Sequence, residues 1–295
     1  MANPAWWGFP RPLWVPDTIA RVSRGCTMTD IGRQIADEEL YDGYLLWPYQ
    51  RPSIERSDRR TSGCVLPRRW SASHADECSA IGTECLVEGG ASARVEVRAR
   101  FLHVVQRQVI DSCGMPVDEL TCRGERYRSW EEATERELSS TGPFSIPEGY
   151  AREPLQGGAL IRRWQRLDGE LSVRLEPAGR YRLLTAVLRN LTSWHGTSRM
   201  DALEHSFCRA HLLLHVVGGS FVSPLDAAAA RCRHQQIWPV LVGEPPDRGT
   251  ILASAIMLDE YPRVPDAPSQ APGRSNISRS PGVSMSASAS TGQSR

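Results

Sequence analysis

The sequence contains no lysine; all 35 of its basic residues are arginine. A P-loop lysine, a Schiff-base lysine and a kinase-type phosphate lysine are therefore excluded. Writing Arg for Lys is the habit of a GC-rich genome. Net charge is also nearly absent, at +1. No global field draws the chain to nucleic acid or to an acidic membrane surface, and neither is expected as a partner. No stretch reaches the about 18 apolar residues that a membrane span needs. The Trp- and Pro-rich start, Met1 to Pro16, lacks the basic segment and apolar run of a signal peptide, so a cytoplasmic location is expected. The eight cysteines include no CxxC pair, and without an export signal they are expected as thiols. GxGxxG, GxSxG, HExxH and EF-hand patterns are missing, and no cofactor is expected.

What is present suffices for a folded body. Apolar residues make up 40% of the 295 and charged residues 23%, the balance of an ordinary globular chain. Three zones are expected: an irregular extension over 1–27, a β-rich body over 28–265, and a disordered Ser-, Pro- and Arg-rich tail over 266–295. That tail offers almost no apolar surface to offset its ordering entropy. Met28, followed by the cap-like Thr29-Asp30 and a helix over Ile31–Leu40, reads as the native start.

Within the body the clearest strand is Arg94–Val104. Val95, Val97, Ala99 and Phe101 alternate with Arg94, Glu96, Arg98 and Arg100, which predicts one buried and one wet face. A meander follows, with Leu160–Leu167, a hairpin turn at Asp168-Gly169, a strand through Leu175, a turn at Pro177-Ala178-Gly179, and a strand over Tyr181–Leu191. Ile237–Val242 and Ile251–Leu258, joined by the loop Gly243–Gly249, read as central buried strands. Helices are predicted over Trp130–Leu138 from the capping box Ser129/Glu132, over Arg199–Cys208 behind Ser198, and over Ala227–Gln235 behind Asp226. The stretch 138–156 reads as a loop and a possible sub-boundary. The fold class expected is mainly β (α+β), as antiparallel β-sandwich-like sheets with a few short helices.

Four groups of side chains have chemical potential. His205, Cys208, His211 and His215, with Cys232 and His234 nearby, are zinc-type ligands that would share a face only on one continuous helix. HLLLHVV ahead of Gly218-Gly219 reads as a strand, so these residues are expected mainly in core roles. His74, Asp76, Glu77, Cys78, Glu84 and Cys85 form a polar knot whose spacing matches no zinc finger or ribbon. The Arg-rich run Arg51–Arg69 is interrupted by Glu55 and Asp58 and lacks stacking aromatics, so it reads as surface loop. Tyr41, Tyr44, Trp47 and Tyr49 make an aromatic cluster of the residue types that dominate protein-binding hot spots, and core packing serves them equally well.

Several segments together resemble an uncharacterised bacterial family encoded beside the structural genes of high-affinity, oxygen-tolerant [NiFe]-hydrogenases. They are LYDGYLLWPY (Leu40–Tyr49), TECLVEGG (Thr83–Gly90), VEVRARFLHVVQR (Val95–Arg107), SWEEATERE (Ser129–Glu137), AHLLLHVVGGSFVSPLD (Ala210–Asp226), WPVLVGEP (Trp238–Pro245) and ILASAIMLDEYP (Ile251–Pro262). The similarity covers roughly residues 30–265 and carries no active site to transfer. It departs in Ser53–Cys64 and after Ser269, where the tail has the look of a frameshifted reading of GC-rich DNA. The resemblance implies a non-catalytic accessory protein that binds hydrogenase subunits or maturation factors. Two other readings stand beside it: an enzyme of hydrolase type with a cleft in the sandwich loops, and a His/Cys metal carrier.

Overall fold

The computed structural model describes residues 63–262. The expected extension over 1–27, the helix at Ile31–Leu40, the aromatic cluster and the tail over 266–295 lie outside these residues. In chain order the elements are helix α1 (Arg68–Ser71), strands β1 (Ala80–Asp111), β2 (Pro116–Val117), β3 (Glu119–Cys122), β4 (Glu125–Arg128), β5 (Trp130–Leu138), β6 (Gly142–Ile146), β7 (Gly149–Leu155), β8 (Gly158–Trp164), β9 (Leu167–Ala178) and β10 (Tyr181–Asn190), helix α2 (Arg199–Glu204), and strands β11 (Cys208–Phe221), β12 (His234–Gln235), β13 (Trp238–Leu241) and β14 (Thr250–Ser254). The fold is mainly antiparallel β and sandwich-like, as the sequence predicts.

β1 organises the sheet. It pairs with β10 over Ala80–Val87, with β11 over Val87–Leu102, with β5 over Ala99–Arg107 and with β8 over Gln106–Asp111. Val87, Leu102 and Arg107 each have partners on both sides, so β10 and β5 flank one edge of β1 while β11 and β8 flank the other. The path across the sheet is β13-β14-β11-β1-β10-β9-β6. A strand of this length would run on the order of 100 Å if straight, far more than such a body can span, so it must bend. Register shifts at Gly89/Arg94 and Arg100/Leu102 mark irregularities in the ladder that let it do so. At the first of these β1 and β11 come so close that a Cβ on Gly219 would lie 2.5 Å from the Glu88 carbonyl oxygen.

The main core lies between the two halves of the bent sheet. Ile81, Cys85, Val97, Ala99 and Phe101 of β1 meet Leu171 of β9, Leu184, Ala186 and Leu188 of β10, Leu212 and Leu214 of β11 and Ile251 of β14. The alternation read from Arg94–Val104 is therefore correct for the apolar side. Its other side is wet only at one end. Arg94 and Glu96 are exposed, but Arg100 is 1% exposed and Leu102 and Val104 follow it into a second core.

Several expected elements differ. Trp130–Leu138 is strand β5, not a helix. Ser129 caps nothing; its hydroxyl donates to the Val117 carbonyl at 2.8 Å and accepts from the Val109 N–H at 2.9 Å. The acid-rich segment is drawn into the sheet because β1 presents arginines to it. Glu132 bonds Arg107 at 2.7 Å, Glu137 bonds Arg98 at 3.2 Å, and Glu135 pairs with Arg100. The Asp168-Gly169 turn is absent too. Both residues lie in β9, which pairs with β6 and β10, while β8 hydrogen-bonds to β7 and β1. The stretch 138–156, read as loop, holds β6 and β7. The other helices are shorter than expected: α2 ends at Glu204, and Asp226 caps only the single 3-10 turn Ala227–Ala229 before β12 begins. Among the last strands β14 is interior, whereas β13 ends the path. The chain does turn after Pro177, but at Gly179-Arg180: Pro177 and Ala178 still lie in β9, with Tyr181 opposite Ala178, and the strand after the turn is as predicted.

Gly169 is needed for contact rather than for turning. A Cβ there would sit 2.5 Å from Phe144 Cζ and 2.7 Å from Phe207 Cζ, both ring atoms set against the main core. Gly169→Ala is expected to lower stability by about 1–3 kcal/mol through overpacking. Urea unfolding checks this; a midpoint equal to wild type would mean that the two rings yield without cost.

Candidate functional site

Over the even-numbered face of β1 lies a second layer made from α1, the residues after it, and the segment running from β10 into α2. Trp70, Trp194, Ala202 and Leu203 pack on Leu102, Val104 and Cys208, with Cys64 and Leu66 closing the cluster. Pro67 precedes α1, where its fixed φ starts a helix without loss of a bond. Ser198 caps α2 by accepting the Asp201 N–H at 3.1 Å. This layer brings polar and aromatic groups together from distant sequence.

Most of the polar groups named there are tied to a structural partner. The Trp70 indole donates to Glu77, and the Trp194 indole N–H to Asp201 Oδ2 at 2.5 Å. Arg199 reaches Glu77 Oε1 through both Nε and Nη2 at 2.7 Å. His74 stacks on Trp70 with ring centroids 3.8 Å apart, and its Nδ1–H donates to the Trp70 carbonyl at 3.0 Å. Glu204 accepts from Gln106 Nε2 at 2.5 Å and from Gln165 Nε2 at 3.4 Å. Burial, with the Glu204 charge beside it, raises the pKa of the nearby Glu131 carboxyl.

One constellation has the outline of a nucleophile and base. Ser193 Oγ lies 3.3 Å from His195 Nε2, and His195 Nδ1 lies 2.7 Å from Arg69 Nη1. In a hydrolytic triad a carboxylate holds the proton on the far ring nitrogen, leaving the near one free to take the serine proton. Here the far partner is a guanidinium, which only donates. Nδ1 must accept from it, so the proton of the neutral ring sits on Nε2 and points at Ser193. The imidazole in this tautomer cannot serve as general base for that hydroxyl.

The expected metal-ligand candidates are dispersed by the end of α2. His205 is the C-cap of that helix, and its Nδ1–H donates to the Asp201 carbonyl at 2.8 Å. Cys208 enters the second core, where the Cys64 thiol and burial hold its pKa well above the usual thiol range. His211 stands opposite Arg100 on β1, and His215 bonds Thr250 Oγ1 at 3.0 Å. His234 pairs with Thr83, their side chains 2.9 Å apart, at β12. Cys232 lies before it, its thiol pKa raised by burial and by Glu84. Among the described residues no three His, Cys, Asp or Glu side chains gather as a metal set. The polar knot is likewise shared out. Glu77 serves the tryptophan layer, while Glu84 binds Arg233 Nη2 at 2.7 Å, a contact that lowers its pKa. Cys85 is in the main core, its thiol pushed up to about 12 by burial. Of the Arg-rich run, Arg68 and Arg69 lie in α1; residues 51–62 are outside the described residues, as are Tyr41, Tyr44, Trp47 and Tyr49.

Sequence reading missed the buried polar residues of β1. Arg100 is enclosed between His211 on β11 and Glu135 and Glu137 on β5. His103, two residues after Phe101 and on the same face, is fully buried. Their signal was present as polar letters inside an apolar run, RFLHVV. Comparison with protein-family models finds no match for the chain, and comparison with curated proteins finds none either.

Two imidazoles couple this burial to pH. Burial, and then the charge of Arg136, hold His103 down to about 3; burial, and then Arg100, do the same for His211. Both start from 6.5 in an exposed chain. Between these values the unfolded chain takes up protons that the folded chain refuses. Stability is therefore unaffected above pH 6.5 and falls as the pH drops below it, by ~1.4 kcal/mol per pH unit per histidine. Urea unfolding at pH 7 and pH 5 should differ by ~2–4 kcal/mol, the protein being weaker at pH 5. A flat profile across this window would show that the rings are charged, or hydrated, in the native state.

Proposed function

We propose that this chain is a non-catalytic accessory protein that acts by binding another protein, and that its partners are subunits or maturation factors of a [NiFe]-hydrogenase. The observation that carries the non-catalytic part is the state of the groups best equipped for chemistry. His195 has its acceptor nitrogen occupied by Arg69 and turns a proton toward Ser193. His103 and His211 are held neutral to about pH 3, and the Cys85 thiol to about pH 12. The two buried imidazoles and the buried thiol are poor acids, bases and nucleophiles near neutral pH. They suit a scaffold in which polar groups orient the layers.

The hydrogenase part rests on the resemblance described above. The contact residues we propose are Tyr41, Tyr44, Trp47 and Tyr49, whose rings offer large area with a polar handle. Binding through such anchors is concentrated in few residues, so one truncation is informative.

In a hydrogen-oxidising host that carries the hydrogenase genes, the tagged chain is expected to co-purify with hydrogenase or maturation proteins. Trp47→Ala should weaken that capture by tenfold or more, a hot-spot loss of ~1.4 kcal/mol or above, while thermal stability stays within ~1 kcal/mol of wild type. A loss of ~3–5 kcal/mol in stability would instead mark Trp47 as a core residue. Capture of no hydrogenase component by the wild-type chain would remove the pathway assignment.

A further inference from the structure

Residues 63–66 lie against the start of β11 as a short antiparallel strap. The Val65 N–H donates to the Phe207 carbonyl at 2.9 Å, and the Phe207 N–H donates to the Val65 carbonyl at 3.1 Å. In an antiparallel ladder, residues that exchange both bonds are flanked by pairs that exchange none, and these flanking pairs have the closest Cα atoms, ~4.5 Å apart. Here one flanking pair is Cys64 and Cys208. The ladder resumes beyond them, where the Ala210 N–H donates to the Gly63 carbonyl at 2.8 Å; Arg209, at φ 54°, is the extra residue of a bulge. Both cysteines are thiols, and both side chains enter the same apolar cluster under Trp70 and Leu203. A cross-strand position of this kind falls within the ~4.4–6.8 Å Cα window that a disulfide requires.

We propose that Cys64 and Cys208 form a reversible disulfide that clamps the strap covalently to β11. The oxidant is a low-molecular-weight disulfide of the glutathione class. The Cys64 thiolate attacks one sulfur of that disulfide; a mixed S–S bond forms and one small thiolate leaves. The Cys208 thiolate then attacks Cys64 Sγ, the internal S–S bond forms, and the second small thiolate leaves. Two protein thiols lose two protons and two electrons, and the external disulfide is reduced to two thiols.

The strap governs the rate. Cys64 is 5% exposed and Cys208 1%, so attack from solution needs the strap to lift. Its closed state is held by the two Val65–Phe207 bonds, by the Leu66 N–H on the Cys78 carbonyl at 2.8 Å, and by Asn190 Nδ2 on the Val65 carbonyl at 2.9 Å. The neighbouring Cys64 thiol and burial also keep the Cys208 thiol protonated, which slows exchange while the strap is seated. Once made, the bond spans a long stretch of chain and restricts the unfolded ensemble strongly. Cys78, half-buried, donates its thiol to the Cys64 carbonyl at 3.5 Å and is the one competing partner close to Cys64 among the described residues.

The test uses the full chain and glutathione disulfide in excess at pH 8 for a day, followed by alkylation in denaturant and non-reducing peptide mapping. The expected product is a peptide pair joined through Cys64 and Cys208. The chain should lose two alkylatable thiols beyond those capped by glutathione at exposed sites such as Cys113, its thermal midpoint should rise by ~5 °C or more, and dithiothreitol should reverse both changes. In Cys208→Ser, Cys64 should carry glutathione and the midpoint should not rise; the wild-type map decides the matter even if this variant does not fold. Full alkylation of both cysteines after oxidation, or a Cys64–Cys78 link in their place, would overturn the proposal.

Discussion

The structure depends on one strand that six others use. β1 bonds to β2, β5, β8, β10, β11 and β12. Successive side chains along a strand point to opposite faces, so a slip of one residue in β1 would turn every one of these faces inside out. Its register is secured where the contrast between faces is greatest. Val97, Ala99 and Phe101 point into the main core while Arg98 and Arg100 meet the carboxylates of β5 on the other face. The same run of sequence thus supplies both the apolar contact and the charge pairing that hold the two halves of the sheet.

The second layer follows from the polarity of that other face. An arginine buried in a sheet is tolerable only with carboxylates at hand, since an unpaired buried charge costs several kcal/mol. Glu135 and Glu137 provide them, and beyond them Leu102 and Val104 need an apolar cover, which α1, the segment leading into α2 and α2 itself supply with Trp70, Trp194 and Leu203. The polar groups of the layer are then occupied in holding that cover in place. This accounts for the dispersal of residues that look reactive in the sequence. His205 closes a helix, Asp201 anchors an indole, and Glu77 joins a tryptophan to an arginine.

Two misreadings show where local pattern loses to tertiary context. Ser129–Leu138 has a capping box and strong helix formers, and as an isolated segment it favours a helix. A helix would leave Arg98, Arg100 and Arg107 without their carboxylates and β1 without a neighbour, so the ladder prevails. Asp168-Gly169 has the letters of a hairpin turn, but the glycine serves to admit Phe144 and Phe207. Both errors arise because the decisive partners lie well outside any local window: Arg100 is far from Glu135, and Gly169 from Phe207. By contrast the turn that follows Pro177 was readable to within a residue or two, since it joins strands that pair directly with each other.

The sequence by itself determined that the body is mainly antiparallel β, that the apolar side of Arg94–Val104 is a core face, and that His211–Val217 runs as strand. These properties are local, set by a period of two and by turn residues within a few positions. It also determined that every basic side chain of the sequence other than histidine is an arginine. Only the tertiary structure decided that Arg100 and His103 are buried, that Arg69 lies beside His195, and that Cys64 lies across from Cys208. Each of these depends on residues separated along the chain and brought together by strand pairing. The energy of such contacts comes from burial and from partner geometry, and neither is written in the spacing of letters.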